Sequence, residues 1–256
     1  MSGRLAALAL AVVLGGCAAT PPASMPGTDT SVDTDARNRA RIHTELAAGY
    51  LELGNLAVAL EEANEALRSD TTYSPAYNIS ALVYAALRED QLAEQQFERA
   101  LRLNPADADS HNNYGLFLCQ RQREEQGIRH FLQAVRNPLY QTPERSYVNA
   151  GVCSRRRGDV AGAQEFFERA LKLRPSQPQA LFQLADLEFQ RGNLNEARSH
   201  AVRLTQIAPN AEGLWLALRI ERRLGDRNAE ASYAAQLRRS FPDSTEARSL
   251  AAGRYE

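Results

Sequence analysis

Residues 144–177 read ERSYVNAGVCSRRRGDVAGAQEFFERALKLRPSQ, and this stretch decides the fold. Tyr147 and the small pair Ala150-Gly151 come first. Gly158-Asp159 follows, then Ala163, Phe167, Ala170 and finally Pro175. Strong helix formers fill both halves, and the central Gly-Asp is a stop followed by a start. Glycine takes the left-handed conformation that ends one helix, and the acidic residue caps the next. The stretch is therefore a helix-turn-helix whose small residues let the two helices approach while Phe167 fills the groove between them. Proline then closes the second helix.

The same order recurs along the chain. Ala66, Ala100 and Ala134 stand 34 residues apart, Ala170 follows after 36, and Leu204 after a further 34; Pro175 and Pro209 are again 34 apart. The first unit supplies Leu46-Ala47, Tyr50, Gly54-Asn55 and Ala59. The second has Tyr77, Tyr84, Ala93, Phe97 and Pro105. The third has Tyr114-Gly115, Gly127 and Phe131, and the fifth Leu184-Ala185, Gly192-Asn193 and Ala197. This period resembles the tetratricopeptide repeat (TPR). It implies an all-α fold, a right-handed superhelical solenoid of about six helix-turn-helix repeats at 40–73, 74–107, 108–143, 144–177, 178–211 and 212–243. The superhelix is expected over 39–245, with a tail at 246–256. The sixth unit, with Trp215, Leu218 and Gly225-Asp226, falls one residue short of the period. Arg222, Arg223, Arg227, Arg238 and Arg239 are expected to give its outer face the polarity that a terminal repeat needs. Residues 136–143 are an insertion between repeats three and four.

Composition agrees. Of 256 residues 24% are charged, the formal net charge is −1, and Val and Ile are scarce beside Ala, Leu, Glu, Gln and Arg. No global field directs the chain to nucleic acid, and the run Arg155-Arg156-Arg157 reads as a solvated face. Residues 1–16 read as an export signal. Arg4 precedes the apolar run Leu5–Leu14, which is shorter than the about 20 residues a membrane helix needs. It ends in Leu14-Gly15-Gly16-Cys17, which resembles a lipobox and makes the Cys17 thiol the lipidation site; a plain secretory signal is the alternative. The resemblance implies several acyl chains on Cys17, enough for firm anchoring. Because Ala18 is not an aspartate, it also implies sorting to the outer membrane with the domain facing the periplasm. Residues 17–38, with Pro21, Pro22 and Pro26, read as a flexible tether.

Cys119 and Cys153 remain as an even pair on the first helices of repeats three and four, either bridged or separately buried. No metal-ligand spacing surrounds them. His43, His111, His130 and His200 belong to no His-Glu-x-x-His pair, and no nucleophile elbow or phosphate-cradling loop occurs. No enzyme, cofactor, metal or small-molecule substrate is expected.

The first helices of such a stack line a concave surface. Its expected lining is Asn78, Leu82, Asn112, Leu116, Val148, Val152, Phe182, Phe189, Leu216 and Ile220, with some of these free to pack between helices instead. An apolar stripe of this kind suits an amphipathic helix or extended peptide. Residues 113–119 (NYGLFLC), 149–153 (NAGVC), Pro138-Leu139-Tyr140, Asp226-Arg227 and Ala231-Ser232-Tyr233 resemble segments of the PilF/PilW family of type IV pilus biogenesis and stability lipoproteins. That resemblance implies a pilotin, which binds the pilus secretin (PilQ-like), brings it to the outer membrane and supports assembly of its ring. The alternative is a periplasmic TPR lipoprotein adaptor for another envelope complex, in outer-membrane protein assembly or peptidoglycan hydrolase regulation.

Overall fold

The computed structural model describes residues 30–255; the export signal, Cys17 and most of the tether lie outside them. Thirteen α-helices and no strand occur among the described residues. They are α1 Thr30–Glu52, α2 Leu56–Ser69, α3 Ser74–Ala86, α4 Asp90–Leu103, α5 Ala108–Gln120, α6 Glu124–Ala134, α7 Pro143–Arg156, α8 Val160–Leu173, α9 Pro178–Arg191, α10 Leu194–Ile207, α11 Ala211–Leu224, α12 Arg227–Ser240 and α13 Thr245–Ala251. Each odd helix from α1 to α11 packs on the even helix after it. The odd helices from α3 to α11 also touch one another in sequence, which makes a TPR solenoid.

Small residues set the spacing within a pair. Ala59, Ala93, Ala163 and Ala197 are completely buried, and Gly127 takes their place in the third pair. There α5 and α6 meet glycine to glycine: a Cβ on Gly127 would lie 2.6 Å from the Gly115 carbonyl oxygen. Phe97, Phe131 and Phe167 fill the remaining groove with at most 1% exposure. Each such ring contributes about 1.5–3 kcal/mol through burial. Ala66, Ala100, Ala134 and Ala170, the residues of the sequence period, are all fully buried.

A residue in the left-handed conformation ends the first helix of every pair. Gly54, Gly158, Gly192 and Gly225 do so at φ between 74° and 84°, while Arg88 (66°) and Gln122 (60°) do so without being glycine. Asp159 then accepts from Gly162 N at 2.9 Å, and Asp226 from Ala229 N at 3.0 Å. Asn193 departs from this pattern; its amide donates to Glu188 Oε2 at 2.6 Å instead of capping α10.

Both ends differ from the sequence reading. The helix α1 begins at Thr30, inside the stretch 17–38 assigned to the tether. Beyond Pro26 no proline blocks a helix. Arg37 anchors α1 to the next pair, with its Nε 3.0 Å from Asp70 Oδ2 and its guanidinium 5.2 Å from the centre of the Tyr73 ring. At the other end, 246–256 carries most of the helix α13. Its Ala247 and Leu250 cover Leu214, Leu218, Ala234 and Leu237, and Tyr255 stacks on Trp215 at 5.7 Å. A short helix with an apolar inner side thus closes the stack, where the arginines of the sixth repeat were expected to form the polar end. Arg222 joins in by lying over the Tyr255 ring at 3.8 Å.

Candidate functional site

The left-handed turn residues give an exact register for the first helices. Counting six residues back from each turn gives the row Ala48, Leu82, Leu116, Val152, Asp186 and Arg219. The residues two before each turn, all exposed, continue the same face, whereas three before it Cys119 and Phe189 are buried. Between α3 and α5 this face opens into a hollow of about 310 Å³, lined by Leu82, Ala85, Leu116 and Phe117, with Asn113, Gln120, Arg88 and Arg121 at its edges. Leu116 is 39% exposed, unusual for a leucine in the middle of a packed helix. Arg121 is fixed there by two hydrogen bonds to Asp90, at 2.6 and 2.7 Å, and by the Phe117 ring beneath it.

A polar ladder joins the first helices along this face. Asn113 Nδ2 donates to Asn78 Oδ1 at 3.3 Å. Ser146 Oγ and Asn149 Nδ2 both donate to Asn112 Oδ1, at 2.9 and 3.0 Å. Arg155 then donates to Gln183 Oε1 at 2.7 Å and to Asp186 Oδ2 at 2.5 Å. Arg155 is therefore a half-buried rung and not part of a merely solvated run.

Of the ten residues expected to line the groove, the structure leaves Leu116 exposed and Asn78, Leu82, Val152 and Phe182 half-buried. It buries Asn112, Val148, Phe189, Leu216 and Ile220 in the seams. The reason is rotational: one residue along a helix turns a side chain by about 100°. The sixth pair is one residue short, so its groove position is Arg219, and Ile220 is turned inward to complete burial. Sequence reading missed Ala85, Gln120 and Arg88, which could have been found by counting from the turns. Arg88 and Gln122 stand where the other four pairs carry glycine, which hid both turns that frame the hollow.

Cys119 on α5 and Cys153 on α7 form a disulfide, with Cα atoms 5.8 Å apart, behind the groove face. The histidines lie apart from the hollow. His111 Nδ1 and His130 Nδ1 are 2.9 Å apart between α5 and α6, and His130 packs 4.5 Å from the Tyr114 ring. Burial, with the charges of His111, Arg129 and Arg123, pushes the His130 imidazole down to about 4. Burial and a hydrogen bond to Glu94 hold the Tyr114 phenol far above its ordinary range. A second apolar pocket of about 350 Å³ sits where the insertion meets α8, between Pro138, Tyr140, Tyr147 and Leu173. Among the described residues no group of three metal-ligating side chains occurs.

Tetratricopeptide repeat models match residues 80–140 and 155–219. The chain is 32% identical over 240 residues to the type IV pilus assembly protein PilF of Pseudomonas aeruginosa, covering 93% of each. The crystal structure of PilW, described as a widely conserved type IV pilus biogenesis factor, superposes with TM-score 0.71 and 31% identity over 82% of this chain and 97% of that one. The Pseudomonas aeruginosa PilF structure gives 0.73 and 31% over 87% and 99%.

Proposed function

The chain belongs to the PilF/PilW family of type IV pilus biogenesis proteins, and we propose that within it the chain acts as the pilotin of the pilus secretin. In this reading Cys17 carries the lipid, and the outer membrane holds the protein with its solenoid in the periplasm. The concave face takes a segment of the secretin, and the lipid directs the pair to the outer membrane, where the ring assembles. The protein binds and escorts; it uses no cofactor and catalyses no reaction.

The observation that carries the proposal is the apolar hollow around Leu82 and Leu116 in a chain that matches PilF almost end to end. A leucine left open beside fixed polar edges is a docking pocket for an apolar side chain, with the edges available to orient the backbone that follows it. The lipobox at 14–17 and the neutral Ala18 support the location.

The test is a deletion strain. Cells lacking the protein should still make pilin but lose surface pili and twitching, and secretin multimers should fall or move to the inner membrane. Cys17→Ser should fold, leave the outer-membrane fraction and carry no label from radioactive palmitate. Intact secretin rings in the outer membrane of the deletion strain would refute the pilotin role.

A further inference from the structure

The concave face changes character along its length. Its row runs through Ala48, Leu82, Leu116 and Val152 and ends with Asp186 and Arg219; two residues before the turns, the later pairs carry Arg156, Gln190 and Arg223. At this far end the carboxylates are already committed. Asp186 holds Arg155 at 2.5 Å, Glu188 holds Arg191 at 3.3 Å, and Glu221 is held by Arg198 on the opposite side of α11. Glu212 lies two turns away at the start of α11.

Arg219 and Arg223 have no carboxylate partner among the described residues. Their guanidiniums lie 4.9 and 5.0 Å from the centre of a single ring, Phe189. The Arg219 Nε is buried without an acceptor, and Arg223 reaches only the Phe189 carbonyl, at 3.4 Å. A guanidinium held over an aromatic ring by cation–π attraction, with no carboxylate of its own, retains N–H donors for a planar carboxylate. Two such groups one helical turn apart offer more donors than this end of the protein can satisfy.

We propose that the arginine end of the groove, Arg219 and Arg223 over the Phe189 ring, is a carboxylate-binding subsite. The bound partner is then a peptide segment with apolar side chains at one end, seated on Leu82 and Leu116, and Asp or Glu side chains at the other. The subsite fixes the direction of the segment, since reversing it would set carboxylates on leucine and apolar groups on bare guanidinium. The inference rests on the concave face being the docking surface, but it does not require that the partner be the secretin.

The test uses two fluorescein-labelled synthetic peptides, one with leucines in one half and glutamates in the other, and a twin with glutamine for every glutamate. The purified chain should bind the glutamate peptide about tenfold more tightly than the twin, a preference that salt weakens. Arg219→Gln with Arg223→Gln should abolish the preference. Because Arg219 is half-buried, the exposed single variant Arg223→Gln is measured beside it, with an unchanged melting temperature as the control, and should lose part of the preference. Leu116→Glu should weaken both peptides. A glutamate peptide that binds no better than its twin, including no binding by either, overturns the proposal, as does a preference that survives the double variant. Failure of the secretin reading would appear in the deletion strain and leave this preference intact.

Discussion

Gly151 and Gly49 look alike in the sequence, each a glycine inside the first helix of a pair, yet their surroundings are opposite. A Cβ at Gly151 would lie 2.5 Å from Phe167 Cε1 and 2.7 Å from Cδ1, and that ring is completely buried and cannot retreat. Gly49 has nothing within 4 Å of the same added carbon. Gly151→Ala should therefore cost about 1–3 kcal/mol by overpacking, while Gly49→Ala should gain about 0.5–1 kcal/mol by removing a flexible residue from a helix; thermal melts of the two variants should move in opposite directions. Half-buried His130 gives a pH dependence whose sign follows from its lowered pKa. Its imidazole titrates near 4 in the fold and near 6.5 when free, so between those values the unfolded chain binds the extra proton. Stability is full above 6.5 and declines as the pH falls toward 4. Melting temperatures measured from pH 7 to pH 5 should fall, and His130→Gln should flatten the decline. An unchanged slope in that variant would mean that other groups carry it, among them His111 and His200, whose imidazoles burial also pushes down.

At the scale of helices and pairs, the repeat period was legible because burial falls on the same few positions in every unit. Ala100, Phe131, Ala170 and their equivalents can be nothing larger or more polar, so the pattern survives where the surface drifts. The turns were only partly legible. Gly158 and Gly192 announce theirs, but Arg88 and Gln122 adopt the same left-handed conformation, at a cost of roughly 1–2 kcal/mol each, and read as ordinary helix. The two ends were illegible for another reason. A prolines-and-serines average over the early chain hid the start of α1, and α13 is too short to show a period, with only Ala247 and Leu250 marking its buried side. The disulfide adds to neighbour-to-neighbour stability by tying α5 to α7 across the insertion, where the chain is otherwise free to change its stacking angle. Closing a loop of 34 residues removes about 4 kcal/mol of unfolded-state freedom. The paired variant Cys119→Ala with Cys153→Ala should therefore melt well below the oxidised protein, and a reducing agent should lower the melting temperature of the native protein but not of the variant. An unreduced digest should contain the two peptides linked.

Across the whole molecule, the outward face of the first helices is the surface whose chemistry the fold does not explain. Packing accounts for Phe189 and Ile220, which the period alone assigned to the groove, and the polar ladder accounts for Asn112. It does not account for Leu116, which could be polar at no cost to the solenoid, since its side chain caps no seam and completes no ladder. That makes Leu116→Glu a cleaner probe than Leu82→Glu, because Leu82 also packs against Ile79 and the Phe97 cluster and its loss would be felt in the fold. Leu116→Glu should leave the melting temperature within about 0.5 kcal/mol of equivalent stability, as surface changes do. It should still weaken binding of the proposed secretin partner at least about tenfold, since seating a carboxylate against an apolar side chain strips its water and returns no partner. Secretin co-purification and circular dichroism on the same preparation separate the two effects. Full binding with an unchanged fold would move the interface off this face, and the apolar pocket beside Pro138 and Tyr147 would be the next surface to change.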